Sequence, residues 1–308
     1  MATIGPEVAA LARALVRSVV GTATRIDGLA PLQATPDGAV LLVDLAGGRR
    51  LVLKMTPPEG SAPPWVDFER TAAVAALARS AGAPVAEVLA ASAGTPSFLL
   101  QEHVDGVAWR RLRPQLDEAE VRLAHRQIAT ALLAVQAVRF PSFGELGAGG
   151  RPAGNGLVAA VRSHADLRIR DAARRAAFAA VLDRYAYAFA GGNPTLTHDD
   201  LHHGNVVFAR RGGEWRLTGL LDWDKAWAGP SDSDVARMTF WDDMTGPGFW
   251  DVYPTDDVPP ERTLVHQLLW CLEYGVDTPR HRADTARLCR ALGVLRLPPA
   301  PASPSRGS

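Results

Sequence analysis

The segment His-Asp-Asp-Leu-His-His-Gly-Asn, residues 198–205, places two carboxylates, three imidazoles and an amide in eight positions, and an apolar run at 206–208 follows at once. Polar groups are costly to desolvate, so such a cluster beside a buried strand needs a chemical reason. Asp200 and Asn205 lie five residues apart in a loop leading into a strand, and Asp222 ends the partner strand of the hairpin that Asn205 begins. A hairpin brings its two ends together, so Asn205 and Asp222 are expected to be neighbours. An amide oxygen and a carboxylate are hard donors suited to Mg²⁺, with phosphate oxygens and water completing the shell. Asp200 would sit beside them, placed to accept a proton from an incoming hydroxyl. The cluster reads as a phosphoryl-transfer centre held rigid by the strand. Zinc is the competing reading for His198, His202 and His203, but no cysteine lies nearby and Asn205 sits in register with the acids.

Those residues need elements to hold them. Val8, Leu11, Leu15 and Val19 recur at helical spacing after Pro6. The runs AVLLVDL (39–45) and RLVLKM (50–55) flank Ala-Gly-Gly, a hairpin signal. A Pro/Gly-rich loop at 57–64 precedes a helix from Phe68 to near Gly82, and EVLAAS and SFLLQEHV read as two more strands. From Val107 the pattern turns helical: a capping box over 117–120 opens one helix, and a second long helix is expected around 157–189. A hairpin around RRGGE follows the polar cluster, then helices rich in tryptophan and acids, and a disordered tail. The expected fold class is α+β and two-lobed: an N-terminal lobe over 1–104, a helical lobe with the catalytic loop and acceptor site over 105–297, and a tail over 298–308.

HDDLHHGN together with LLDWD (220–224) resembles the signature of aminoglycoside phosphotransferases and the related choline-kinase-like small-molecule kinases. The resemblance implies a protein-kinase-like fold, with Asp200 as the catalytic aspartate and Asn205 and Asp222 as Mg²⁺ ligands. It implies that His198 braces the loop and that Asp234 supports it from the following helix. In the first lobe it implies that Lys54 binds the phosphates with Glu69 as its helix-borne partner, and that backbone groups of Glu102 and Val104 hold a purine. The chain contains two lysines, Lys54 and Lys225, which gives the placement of Lys54 added weight. The chain departs from the family pattern in three places. Asp199 stands where glycine is usual, His203 where proline is common, and the loop at 33–38 offers a single glycine, Gly38.

Composition narrows the partners. The chain has 308 residues, 47% hydrophobic and 21% charged, and a formal net charge of +0, so no overall basic field holds nucleic acid. No signal peptide or apolar run long enough for a membrane is evident, and a cytoplasmic location with reduced Cys271 and Cys289 is expected. Residues 196–278 carry fifteen acids against six bases. Carboxylates interleaved with aromatics there suit a cationic acceptor or a stacked ring, with Asp199, Trp227, Trp241, Asp242, Trp250, Trp270 and Glu273 as candidate acceptor contacts. The expected activity is ATP- or GTP- and Mg²⁺-dependent phosphorylation of a small-molecule hydroxyl. An antibiotic of aminoglycoside, cationic peptide or nucleoside type would be inactivated by it. The alternatives are a metabolic kinase for choline, an amino alcohol or a sugar, and a nucleotide-binding regulatory pseudokinase.

Overall fold

A computed structural model describes residues 4–35, 38–56, 66–154, 156–241, 244–255, 257–274 and 278–294. The loop at 57–64, Pro36 and Asp37, Asp242 and the tail at 298–308 lie outside them. The chain forms two compact units. The first comprises Met1–Gln115, Ala148–Gly150 and Gly204–Asp224; the second comprises Leu116–Gly147, Arg151–His203 and Lys225–Ser308.

In chain order the elements begin with helix α1 (Pro6–Val20), strands β1 (Ile26–Thr35), β2 (Gly38–Leu45) and β3 (Arg50–Met55), and helix α2 (Phe68–Ser80). Strands β4 (Val88–Ser92), β5 (Phe98–Glu102) and β6 (Val107–Ala108) and helices α3 (Trp109–Leu112), α4 (Glu118–Gln136), α5 (Leu157–Arg168) and α6 (Ala172–Arg184) follow. Strands β7 (Pro194–Thr197), β8 (Val206–Arg211), β9 (Glu214–Leu220) and β10 (Trp227–Pro230) then lead to helices α7 (Asp232–Trp241), α8 (Pro247–Trp250), α9 (Pro260–Glu273) and α10 (Pro279–Ala291).

In the first unit, five antiparallel strands run in the order β1-β2-β3-β5-β4. The period of two sorts their side chains. Leu41, Val43, Leu45, Leu51, Leu53 and Met55 form one buried face, and α1 lays Leu11, Ala12, Leu15 and Val16 against it. Lys54, opposite Val40 in the register, therefore points to the other face. The β2–β3 turn uses Gly47 and Gly48 at φ 87° and 83°, where a side chain would be strained. A smaller sheet, β6-β8-β9, supplies the hairpin whose ends carry Asn205 and Asp222.

The second unit is mainly helical around the β7–β10 pair. The capping box is formed: Asp117 accepts from the Glu120 N–H at 2.8 Å, and Glu120 accepts from the Asp117 N–H at 3.2 Å. The single long helix expected over 157–189 is instead α5, α6 and a short 3₁₀ turn. The break falls at Ile169, which adopts extended backbone, and Asp171 restarts the helix by capping the Arg174 N–H at 2.8 Å. Cys271 and Cys289 are both buried free thiols. Among the described residues no helix is long and apolar enough to cross a membrane.

Candidate active site

In the first unit, Lys54 Nζ donates to Asp222 Oδ1 at 2.6 Å and to Asp224 Oδ2 at 2.9 Å. Burial alone would lower the Lys54 pKa; Asp224 and Asp222 outweigh it and hold the ammonium well above its usual value. Asp224 moves up, first through burial and then through Asp222, with Lys54 opposing. Asp222 sits just past β9 at φ 69°, a left-handed conformation that aspartate tolerates better than most residues. The Leu221 N–H donates to the Asn205 carbonyl at 2.8 Å, so the hairpin does set Asn205 beside Asp222. A cavity of about 430 Å³ opens here, lined by Val40, Val52, Lys54, Asn205, Asp222 and Asp224 among others.

Helix α2 reaches this acidic corner through residues other than Glu69. Thr71 Oγ1 donates to Asp224 Oδ1 at 3.2 Å, and the Arg70 guanidinium donates to the Asp224 carbonyl. Glu69 accepts from the Ala93 N–H at 3.2 Å, so the structure does not bring it to Lys54. Glu102 ends β5, where its N–H donates to the Glu87 carbonyl at 2.9 Å and its carboxylate pairs with Arg49. Val104, the other expected purine contact, lines the cavity with Gln101 and His103. Gly38 also lines it, and a Cβ there would lie 2.4 Å from the Met55 carbonyl oxygen, which explains the single glycine of that loop.

The donor set fits Mg²⁺. Asn205, Asp222 and Asp224 offer hard oxygens on one wall of the cavity, the donor type that Mg²⁺ takes.

The second unit builds the loop that carries Asp200. Asp234, from the first turn of α7, accepts from the His198 N–H at 3.0 Å and the Asp199 N–H at 2.8 Å. Burial pushes its pKa up to about 7 against those donors. His198 Nδ1 accepts from the Asp200 N–H at 3.3 Å. The Asp200 carboxylate then meets three groups. Arg237 Nη2 donates to it at 3.2 Å, the Tyr274 hydroxyl donates at 2.8 Å, and Lys225 Nζ lies 3.6 Å away. Burial would raise Asp200; Lys225, Arg237, His202 and Tyr274 overcome it and hold the carboxyl well below the usual carboxylate range. Lys225 also pairs with Glu273 at 2.7 Å.

Of the candidate acceptor contacts, Glu273 is joined to Asp200 through Lys225, and the Trp270 ring lies 5.4 Å from the Arg237 guanidinium that also meets Asp200. Trp227 and Trp270 are buried at 1% exposure each. Trp250, at 38% exposure, packs edge-on against Phe249 and Tyr253, and Trp241 ends α7. Asp199 turns inward: His164 Nε2 lies 2.8 Å from its Oδ2, and His164 Nδ1 hydrogen-bonds Glu145. Sequence reasoning gave no role to Lys225, Arg237 or His164. Lys225 had a signal, as one of two lysines. Arg237 had a weaker one, three residues past Asp234 and so on the same helix face.

Burial lowers the His164 pKa, but Glu145 and Asp199 raise it more, to about 9. A folded pKa above the unfolded value means stability that is complete below pH ~6.5 and lost as pH rises through about 9. His164→Gln is expected to remove a pH-dependent contribution on the order of 3 kcal/mol across that window. Chemical denaturation of both proteins at pH 6 and 9.5 checks this, and equal slopes would contradict it.

A cavity with a lysine on paired carboxylates, and a loop presenting a buried aspartate, are the kinds of parts that phosphoryl transfer uses. The sequence model described as the phosphotransferase enzyme family matches residues 30–262, and the chain belongs to that family of small-molecule phosphotransferases. A search of curated protein sequences finds no match. Solved structures are similar throughout. A putative fructosamine-3-kinase from Thermobifida fusca YX-ER1 has a TM-score of 0.64 and 20% identity, covering 91% of this chain and 97% of its own. The streptomycin–ATP–APH(2″)-IIa ternary complex has a TM-score of 0.61 and 15% identity, covering 94% and 97%. A macrolide 2′-phosphotransferase type I has a TM-score of 0.55 and 17% identity, covering 94% and 99%. The α+β arrangement is thus the kinase-like fold of these proteins.

Proposed function

We propose that this protein transfers the γ-phosphoryl group of ATP or GTP to a hydroxyl of a small antibiotic. The observation that carries the phosphotransfer reading is the state of Asp200, buried yet held ionised by Lys225, Arg237 and Tyr274. A carboxylate so placed can accept a hydrogen bond from an acceptor hydroxyl and orient its oxygen. Because its pKa is so low, it takes the proton only as the new O–P bond forms and the hydroxyl becomes far more acidic. Lys54 in the first unit's cavity would grip the phosphates. Mg²⁺ held by Asn205, Asp222 and Asp224 would neutralise charge on the transferring group when bound. The lobes in this reading are residues 1–104 and 105–297, with the acceptor held by the latter.

Antibiotics as acceptors are supported by similarity to structures named for streptomycin, gentamicin and macrolide phosphotransfer. A second reading, a kinase for a sugar amine or other metabolite, has its own support. Lys225 and Arg237 balance Asp200 and Glu273, so the surroundings of Asp200 are not the purely acidic field that a polycation would select. Incubation with an aminoglycoside, macrolide and nucleoside antibiotic panel and a fructosamine and choline panel, with Mg²⁺ and either nucleotide, separates them by mass spectrometry. A single phosphate adduct on an antibiotic is the expected result. An adduct confined to the metabolites would select the second reading.

A further inference from the structure

We propose that His164 is a positioning residue that fixes the Asp200 loop by gripping Asp199. The proposal rests on the assignment of Asp200 as the catalytic carboxylate.

Asp199 has φ 59°, in the left-handed region that favours glycine. A residue with a side chain keeps that conformation when its surroundings enforce it. Two contacts do so here. Asp234 takes the backbone N–H of Asp199 at 2.8 Å, and His164 Nε2 takes its carboxylate at 2.8 Å. The carboxylate is only 4% exposed, so the contact is shielded from water.

His164 is itself tied on every side. It lies on the buried face of α5 with Leu157, Ala160 and Val161, a stripe that sequence periodicity reads as plain core. Its Nδ1 meets Glu145 and its Nε2 meets Asp199. A neutral imidazole has one N–H and could donate to only one acid; with a carboxylate on each side, the ring carries both protons. Its face stacks on Trp227, 4.2 Å between centroids and 12° between planes. Trp227 pairs in register with Thr197, the residue that enters the loop, and Thr197 Oγ1 donates to the Trp227 carbonyl at 3.2 Å. The imidazolium thus joins α5, the β7–β10 pair and the residue immediately before Asp200. Asp200 inherits its direction from a peptide unit clamped on one side by Asp234 and on the other by His164.

The test uses the full chain and three variants, His164→Gln, Asp199→Ala and the double variant. Hydrogen exchange over 198–203 reads positioning without any acceptor. Mg²⁺-dependent hydrolysis of ATP or GTP, with water as acceptor, reads catalysis. H164Q is expected to speed exchange over 198–203 about tenfold or more. It should lower kcat for hydrolysis about 10- to 100-fold while leaving KM for the nucleotide unchanged. D199A cuts the same contact from its other end without giving the backbone glycine's freedom at φ 59°, so it should give similar changes, and H164Q should add nothing in that background. Wild-type exchange in H164Q, or equal effects of H164Q in both backgrounds, overturns the proposal. If H164Q does not fold, D199A decides alone, because it keeps the Glu145–His164 pair; wild-type exchange over 198–203 in that variant is then the overturning result. If the wild-type protein hydrolyses no nucleotide, exchange over 198–203 decides the positioning role, and wild-type phosphorylation of a panel acceptor by Asp200→Asn is the result that removes the catalytic assignment of Asp200.

Discussion

Asp200→Asn is expected to reduce turnover about 10²- to 10⁴-fold while nucleotide affinity is unchanged. That range corresponds to about 3 to 5 kcal/mol of transition-state stabilisation. The amide keeps the shape of the carboxylate but cannot take a proton, and its interaction with the acceptor hydroxyl loses the negative charge. The surroundings sharpen the expectation. Lys225 and Arg237 both face Asp200, at 3.6 and 3.2 Å, so removing its charge leaves two cations with Glu273 as the remaining paired acid. Asp200→Ala should therefore also lower the melting temperature, since it leaves buried charge without compensation. Asp200→Asn removes the same charge but retains an oxygen that can accept from the Tyr274 hydroxyl, now 2.8 Å away, so it should lower the melting temperature less than Asp200→Ala does. Steady-state kinetics and nucleotide calorimetry on both variants are the measurements. Turnover within threefold of wild type in Asp200→Asn would remove the base role from this residue. The pH profile follows from the same site. A carboxyl held well below its usual range stays ionised throughout neutral and mildly acidic solution, so loss of rate on acidification should not trace to Asp200.

Much of this arrangement was legible in the sequence because local rules govern it. The β2–β3 hairpin followed from alternation around two glycines, and the α4 start from Asp117 and Glu120. The meeting of Asn205 and Asp222 followed from hairpin geometry alone. The break between α5 and α6 was missed because Ala- and Arg-rich sequence is helix-favouring on both sides, and one capping aspartate outweighed it.

What could not be read was which long-range partners the charged groups choose. Glu69 and Arg70 are adjacent in α2, and either could face the acidic corner; the helix rotation set by Phe68, Thr71 and Val74 in the core turns Arg70 and Thr71 there. Trp227 and Trp270 looked like acceptor contacts from their place among acids, and both serve the core. Asp199 in place of glycine was visible as a departure from the family pattern. Its explanation required His164, 35 residues away in a helix whose apolar stripe disguised it.

The second large effect is expected at Lys54. In the protein without nucleotide its ammonium bridges Asp222 at 2.6 Å and Asp224 at 2.9 Å. Phosphates entering the cavity offer it further anions, and any contact it gives up leaves the two carboxylates short of a cation. In the proposed reading, nucleotide, lysine and divalent ion would therefore be coupled through Asp222 and Asp224. Lys54→Met should lower turnover about 10²- to 10³-fold and weaken nucleotide binding, because the phosphates lose their ammonium. The same substitution should strengthen divalent-ion binding in the absence of nucleotide, because the competing cation has gone. Opposite signs from one substitution are hard to obtain by damage to the fold. The stability cost is itself limited: the Asp222 side chain is 43% exposed, so water screens part of what the ammonium now neutralises. Titration of Mn²⁺ as a spectroscopic stand-in, with and without nucleotide, measures both affinities. Divalent binding that is weaker in Lys54→Met than in wild type would mean that the ammonium organises the carboxylates rather than competing for them, and the coupling would then run through geometry instead of charge.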